Sequence, residues 1–396
     1  MDFSFTEEQI AWQMKARKFA EEEIRPISLE RDQISDPVET FTWEIIKKGS
    51  KLGFRTAVVT KERGGHGIDF VTQALVMAEL ARGDSAMSKT FSQCWKWSHV
   101  IQGICTEEQK NRFLPAFVAD DTYVMGSGGT EPGAGSDNRL PPDDIRAGLK
   151  LKAERDGDDW IINGDKVFIA NGSIAKLFFL HARTDPTVML AEGTTRFLIP
   201  RETPGFRHGK VFNKSGWRFY QNAELIFENA RLPDSCRVGP VNGARAKAAG
   251  DVSGEMFGDL ELAANALGIC DDACEKAINL VRTREQGGVP LKDQQLIQLK
   301  IGRMKMLTEA LRSYVLRVAW EHDEKIHSTN AGLVMNLSTD TGQEVTELAL
   351  DIYDRAGRAG DRAVDKLVRD MFVWSHLAGD TVQRLKFGRR IVAQAA

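Results

Sequence analysis

From Phe5 to about Ala119, apolar residues recur at three- and four-residue intervals, the spacing that lines one face of an α-helix. The clearest case is TEEQIAWQMKARKFAEEEIRP. Thr6 is placed to cap its first turn, and Pro26, which has no N–H to donate, predicts its end. Helical spacing also covers Thr42 to Leu52, Val71 to Ala81 and Glu107 to Ala119, while Gly64, Gly65 and Gly67 break the pattern in KERGGHGIDF. Near Val124 the texture changes. DDWIINGDKVFIA, KLFFLHART, RFLIPR and AELIFENARL are short apolar segments separated by Gly, Pro, Asn and Asp, which predicts strands and turns. After Val238 helical spacing returns, through ELAANALGICDDACEKAINLVRTR, DQQLIQLKIGRMKMLTEALRSYVLRVAWEH and GQEVTELALDIYDRA. The predicted class is α+β in three parts: helical residues 1–123, β-rich residues 124–238 and helical residues 239–396, with no internal repeat.

Composition narrows the partners. A chain of 396 residues with 42% hydrophobic and 28% charged residues has the make-up of a soluble multi-domain protein. Its net charge of −3, with no dense basic stripe, argues against nucleic acid as a partner. No apolar run approaches the roughly 18 to 20 residues needed to span a bilayer. MDFSFTEEQIAWQ also lacks the basic-then-apolar pattern of a signal peptide, so a cytoplasmic protein with no membrane partner is expected. Among five scattered cysteines, only Cys270 and Cys274 fall at helical i, i+4 spacing, and they lack the second pair and histidines of a zinc site.

Thr130 to Asp137 spell TEPGAGSD. Pro132, Gly133 and Gly135 allow a sharp turn that presents bare N–H groups to a ring or carbonyl, which a bulky Cβ would obstruct. Alone, these residues also describe an ordinary surface turn. The chain continues with NRLPPDDIRAG, whose composition predicts a rigid exposed loop, then with GDDWIINGDKVFIANG and, further on, RTREQGGVPLKDQQLIQLKIGRM. In this order and spacing the motifs resemble the acyl-CoA dehydrogenase family, nearly end to end.

The resemblance implies an N-terminal helical domain, a middle β-barrel or sandwich domain and a C-terminal four-helix bundle. It implies an FAD-dependent oxidoreductase, an acyl-CoA substrate and an electron acceptor such as an electron-transfer flavoprotein. Thr130 and Ser136 fall on flavin contacts, Ser136 also on a substrate contact, and Phe168 and Asn171 fall on the strand that lies along the flavin. Arg284 and Gln295 fall on positions that reach across a dimer interface to the partner's FAD pyrophosphate, which implies a homodimer or homotetramer. Arginine suits that task, because its planar fork donates two bonds to phosphate without losing charge. Trp95 and Trp97 fall on the helix that lines the end of the acyl chain, and two indoles there imply a short, cyclic or aromatic acyl group.

Several positions depart from the family pattern. Ala170 replaces the threonine that bonds the flavin N5 edge, Gly287 a phenylalanine, Asp351 a glutamine, and Asp354-Arg355 paired glycines. Ala378 replaces the catalytic glutamate, and the alternative base position in GEMFGDLELAANALG falls on Gly258. α,β-Dehydrogenation needs a base for the α proton. Asp380 and Asp259 are the expected substitutes, Glu261 is a nearby carboxylate, and His376 and His99 have the right pKa range. Two alternatives stand beside the dehydrogenase. One is a non-catalytic or half-site subunit assembled with a paralogous partner; the other is a family member running elimination, hydration or oxygenation on a CoA thioester.

Overall fold

The computed structural model describes residues 4–244, 254–326, 328, 330–377 and 381–394. Helix α1 (Glu7–Phe19) begins in a capping box: Gln9 N–H donates to Thr6 Oγ1 at 3.2 Å, and Gln9 Oε1 accepts from Thr6 N–H at 2.9 Å. Two donors at the start of the helix are thereby satisfied. The helical path does not stop at Pro26, contrary to the spacing argument. A π-helical turn over Ala20–Ile24 leads into α2 (Arg25–Gln33), with Pro26 in its first turn. In that position a missing N–H costs little, so proline starts a helix here instead of ending one.

Side-chain caps also start α3 (Trp43–Lys51) at Thr42, α4 (Phe70–Gly83) at Asp69, α5 (Ser85–Ile104) at Asp84 and α6 (Glu107–Ala119) at Thr106. Helix α5 is buried on almost every side, polar residues Ser88, Lys89, Thr90, Ser92 and Gln93 included.

The middle part contains β1 (Met125–Ser127), a one-turn helix α7 (Ser136–Arg139), β2 (Lys152–Asp156), β3 (Asp159–Ile169) and β4 (Leu177–Arg183). It continues with β5 (Thr194–Pro200), β6 (Phe206–Val211), β7 (Ala223–Pro233) and β8 (Arg237–Val238). These strands form one sheet in the order β6-β7-β3-β2-β4-β5-β8, with β1 parallel to β4. Strand β3 is irregular against β7 between Ile162 and Gly164 and between Lys166 and Ile169. Bulges of this kind re-aim side chains, and the second contains the exposed Phe168. The NRLPPDDIRAG segment forms α7 and then an exposed loop, tied by an Arg146–Asp144 ion pair of 2.8 Å.

The last part contains α8 (Gly254–Thr283), a small hairpin of β9 (Glu285–Gln286) and β10 (Val289–Pro290), α9 (Gln295–Asp323) and α10 (Asn330–Arg355). Helices α11 (Arg362–Phe372), α12 (Trp374–Leu377) and α13 (Thr381–Gln394) follow. Helix α8 packs on α9, α10 and α4, and a methyl group at Gly268 would strike the Ala78 carbonyl, so α4 and α8 approach closely. The α+β class and its helix–sheet–helix order agree with the sequence expectation.

Asp370 joins all three parts. Its buried carboxylate accepts from Trp217 N–H at 2.7 Å, Ser85 Oγ at 3.0 Å and Lys366 Nζ at 2.6 Å, and Lys366 also reaches Asp84 at 2.9 Å. Beside it, Arg369 pairs with buried Asp32 at 2.6 Å. Among the described residues, no helix is long and apolar enough to cross a membrane, and no His, Cys, Asp or Glu cluster could hold a metal.

Candidate active site

Glu131 fixes the glycine turn from below. Its buried carboxylate accepts from Lys166 Nζ at 2.7 Å, Lys150 N–H at 2.5 Å and Leu151 N–H at 3.1 Å. Asp137 bridges the ends of the following loop, accepting from Gly135 N–H and Gly148 N–H, each at 2.8 Å. With Glu131 buried and Asp137 bonded to loop N–H groups, the motif leaves Thr130, Pro132, Gly133, Gly135 and Ser136 exposed. A Cβ at Gly133 or Gly135 would meet nothing within 4 Å, so the space over the turn is open. An open face above a turn anchored by buried ion pairing can receive a planar ring.

The end of β3 supplies a flat wall beside it. Phe168 has a φ of 57°, is 53% exposed, and stacks on Phe212 with ring centroids 3.9 Å apart. A phenylalanine in the left-handed region carries a conformational cost, and Asn222 holds the bend by donating to the Phe168 carbonyl at 2.8 Å. Thr130, Ser136 and Phe168 thus lie on exposed positions of one local assembly. Asn171 does not: it is fully buried, also at positive φ, and its amide donates to the Met125 carbonyl at 2.9 Å. That bond ties β1 to the turn after β3. Arg218 is likewise structural, bonding the Asp32 and Ile34 carbonyls at 2.6 and 2.5 Å.

Arg284 and Gln295 are exposed at the other end of α8 and at the start of α9. Some 25 helical residues separate Asp259 from Arg284, about 37 Å at 1.5 Å per residue. One chain therefore does not bring Arg284 to chemistry at the N-terminal end of α8. Arg284 Nε donates to the Ala356 carbonyl at 3.2 Å, and the positive φ of Gly287 and Gly288 closes the hairpin beside it.

The tryptophans are placed otherwise than expected. Trp95 is wholly enclosed in the N-terminal core, donating to the Phe54 carbonyl at 2.5 Å, and Trp97 stacks on Phe179 of β4 at 4.8 Å. Both pack the interior, and Trp95 is no pocket wall. An indole pattern on a helix does not by itself distinguish an interface from a cavity.

Of the base candidates, Asp380, like Ala378, lies outside the described residues. Asp259 is part-buried near the start of α8. Two residues on, or 200° around the helix, Glu261 faces α5 and is buried, with Lys89 and Ser92 both donating to its Oε1. Lys96 lies next to Gly258: a methyl group there would stand 2.7 Å from its Nζ. Sequence reasoning named Glu261 but gave it no role; the 100° helical step could have separated its face from that of Asp259. His376 is exposed, and His99 is packed between Phe70 and Phe257, its pKa lowered to about 4 by burial first and then by His322. Burial thus disfavours a charged His99 at neutral pH.

A glycine turn and aromatic wall on a sheet, set between two helical parts, define a flavoenzyme of the acyl-CoA dehydrogenase type. Family models agree over most of the length: the acyl-CoA dehydrogenase N-terminal domain matches residues 6–121, the middle domain 126–230 and the C-terminal domain 256–392. The chain belongs to the acyl-CoA dehydrogenase family. It is 30% identical to cyclohex-1-ene-1-carbonyl-CoA dehydrogenase of Syntrophus aciditrophicus, over 98% of this chain and 90% of that protein. It is 31% identical to the short-chain-specific acyl-CoA dehydrogenase of Megasphaera elsdenii, over 93% and 94%. The solved structure of butyryl-CoA dehydrogenase from M. elsdenii superposes with a TM-score of 0.89 at 29% identity, covering 99% of this chain and all of that one. Membership makes the chain an acyl-CoA dehydrogenase-like flavoenzyme with FAD as its cofactor, and the open turn beside the exposed Phe168 ring fits such a group.

Proposed function

We propose that the protein dehydrogenates a short, cyclic or aromatic acyl-CoA thioester with a relocated catalytic base. The observation that carries this reading is the anchoring of the turn by buried Glu131 and of its loop by Asp137, which leaves the exposed face of the turn and the Phe168 ring free for flavin and thioester. Relatives named for cyclohexenecarbonyl-, isobutyryl- and short-chain acyl-CoA support the acyl class. Thr130, Ser136 and Phe168 are proposed to hold FAD, with Ser136 also at the thioester. Arg284 and Gln295 are proposed to hold the FAD pyrophosphate of a second subunit, which the span of α8 requires. FAD, when bound, supplies the acceptor for the hydride that leaves the β carbon. The chain's own part is to orient the thioester and accept the α proton, for which Asp259 and Asp380 are the candidates.

A non-catalytic or half-site subunit is the second reading. Asp351, at a position where the family carries a glutamine, is engaged by Lys300 and by Arg355 at 2.9 Å, and this interaction competes with any cofactor contact there. The visible absorption spectrum of the purified protein, before and after added FAD, decides between the two. Stoichiometric flavin supports the oxidoreductase. Its absence after reconstitution supports the subunit reading. Given flavin, full turnover in both Asp259→Asn and Asp380→Asn would remove both base candidates.

A further inference from the structure

Protein interiors hold few voids larger than a water molecule, yet a cavity of about 200 Å³ lies where α1, α4, α8 and α9 converge. Its origin is local. Ala74 and Ala78 stand one turn apart on the same face of α4, and their small side chains leave room beside the close contact of α4 with Gly268 of α8. Leu75, Leu267 and Val315, all buried, complete an apolar wall. The lining comes from these four helices and from the residue just before α1, apart from the glycine turn and the Phe168 ring.

Part of the lining is polar: Gln13, Glu79 and Arg312. Glu79 accepts from Gln13 Nε2 at 2.9 Å and pairs with Arg17 at 3.0 Å, while Arg312 pairs with Asp271 at 2.5 Å and with Glu309 at 3.2 Å. Asp271 lies within electrostatic range of Glu79, so the three lining residues belong to one polar cluster. Each lining charge is already matched. A further charge brought in would leave water without a partner of its own, which is costly. Two bonding positions remain open among the described residues: Gln13 Oε1 accepts no hydrogen bond and Arg312 Nη1 donates none. A neutral hydroxyl suits both, donating to the first or accepting from the second. Size sets the body of the ligand. Apolar cavities of about 150 Å³ stay dry and take up benzene, so this one holds a six-membered ring that carries a hydroxyl.

We infer that the cavity is a binding site for a small phenol or alcohol, distinct from the acyl site. Along α8, Leu267 stands eight residues from Asp259, about 12 Å at 1.5 Å per residue. An occupant touches helices of both the first and the last part, and it stabilises the arrangement in which they are packed together.

The purified full chain is titrated calorimetrically with phenol, benzene and benzoate, which share one ring and differ in the head group. Phenol is expected to bind at one site about tenfold more tightly than benzene, the gain that one buried hydrogen bond allows, and benzoate is expected not to bind. Ala74→Leu, which fills the cavity, should abolish binding of phenol and benzene alike. Gln13→Leu, which removes the open acceptor from a part-buried position, should keep benzene binding and erase most of the phenol preference. If Ala74→Leu fails to fold, Gln13→Leu decides alone. Absence of phenol binding, benzoate binding as tight as that of phenol, binding that survives Ala74→Leu, or a phenol preference untouched by Gln13→Leu overturns the inference. Neither flavin nor a thioester takes part, so that failure leaves the acyl-CoA reading standing.

Discussion

Lys166 Nζ lies 2.7 Å from Glu131 Oε1 with both side chains buried, an ion pair that locks the glycine turn to β3. Charges out of water are tolerated when paired, and removing one partner strands the other. Glu131→Ala should therefore cost about 3–5 kcal/mol in urea unfolding. Replacing both members, Glu131→Leu with Lys166→Met, should cost less than that single change. Recovery will be incomplete, because Glu131 also accepts from the Lys150 and Leu151 N–H groups. A loss below about 1 kcal/mol, the scale of a surface pair, would show that the turn is held by its backbone alone.

The order of parts was legible because helical and strand spacing differ in period, and α6 appears over Glu107–Ala119 as the spacing predicts. Pro26 misled because a proline's cost depends on whether it starts or interrupts a helix, which spacing does not tell. The turn residues Thr130, Ser136 and Phe168 were legible as a motif, and their exposure follows from it. Asn171 and Trp95 were not: a motif fixes residue type, while direction depends on β1 and Phe54, which are distant in sequence. Glu261 was visible, but its pairing with Lys89 spans 172 residues and is a product of packing alone.

The five cysteines are all free and buried. Burial pushes the Cys94 thiol up to about 11 and the Cys105 thiol to about 12, and raises those of Cys236, Cys270 and Cys274 as well. The thiolate is the reactive form. A thiol-specific chromogenic disulfide at pH 8 should therefore label none in the native protein and all five in denaturant. Rapid labelling of even one native thiol would contradict the packing around it.

His99 gives the fold an acid-sensitive point. Its folded pKa, lowered to about 4 by burial and then by His322, lies below the ordinary value of 6.5. A depressed histidine contributes stability that is complete above the unfolded pKa and is lost as pH falls through the folded one. The window is thus about pH 6.5 down to 4, and the loss, allowing for part-exposure of the ring, is about 2 kcal/mol. Asp323, raised to about 6 by burial, acts in the opposite sense, losing its contribution as pH rises toward 6. In His99→Phe, which keeps an aromatic ring between Phe70 and Phe257, the stability difference between pH 7.5 and pH 4.5 should shrink by about that amount. An unchanged difference would place the acid sensitivity elsewhere.

Ala170 tests whether the wall of β3 belongs to a flavin site. It follows Ile169, and its N–H donates to the Ser127 carbonyl at 3.2 Å, so its position between β1 and the turn is fixed by backbone. The family resemblance puts a hydroxyl at this position against the flavin N5 edge, and alanine has none. Restoring it by Ala170→Thr adds one hydrogen bond worth about 0.5–1.5 kcal/mol, or roughly 3- to 10-fold in affinity. Fluorescence titration of the apo-protein with FAD should show tightening in the threonine variant and none in Ala170→Val, which has the same branching without the hydroxyl. An affinity unchanged from the parent in both variants would mean that the flavin edge does not lie against Ala170. Equal tightening would assign the effect to packing instead of a hydrogen bond. Only the hydroxyl-specific gain supports a family flavin site that this chain has kept with one contact removed.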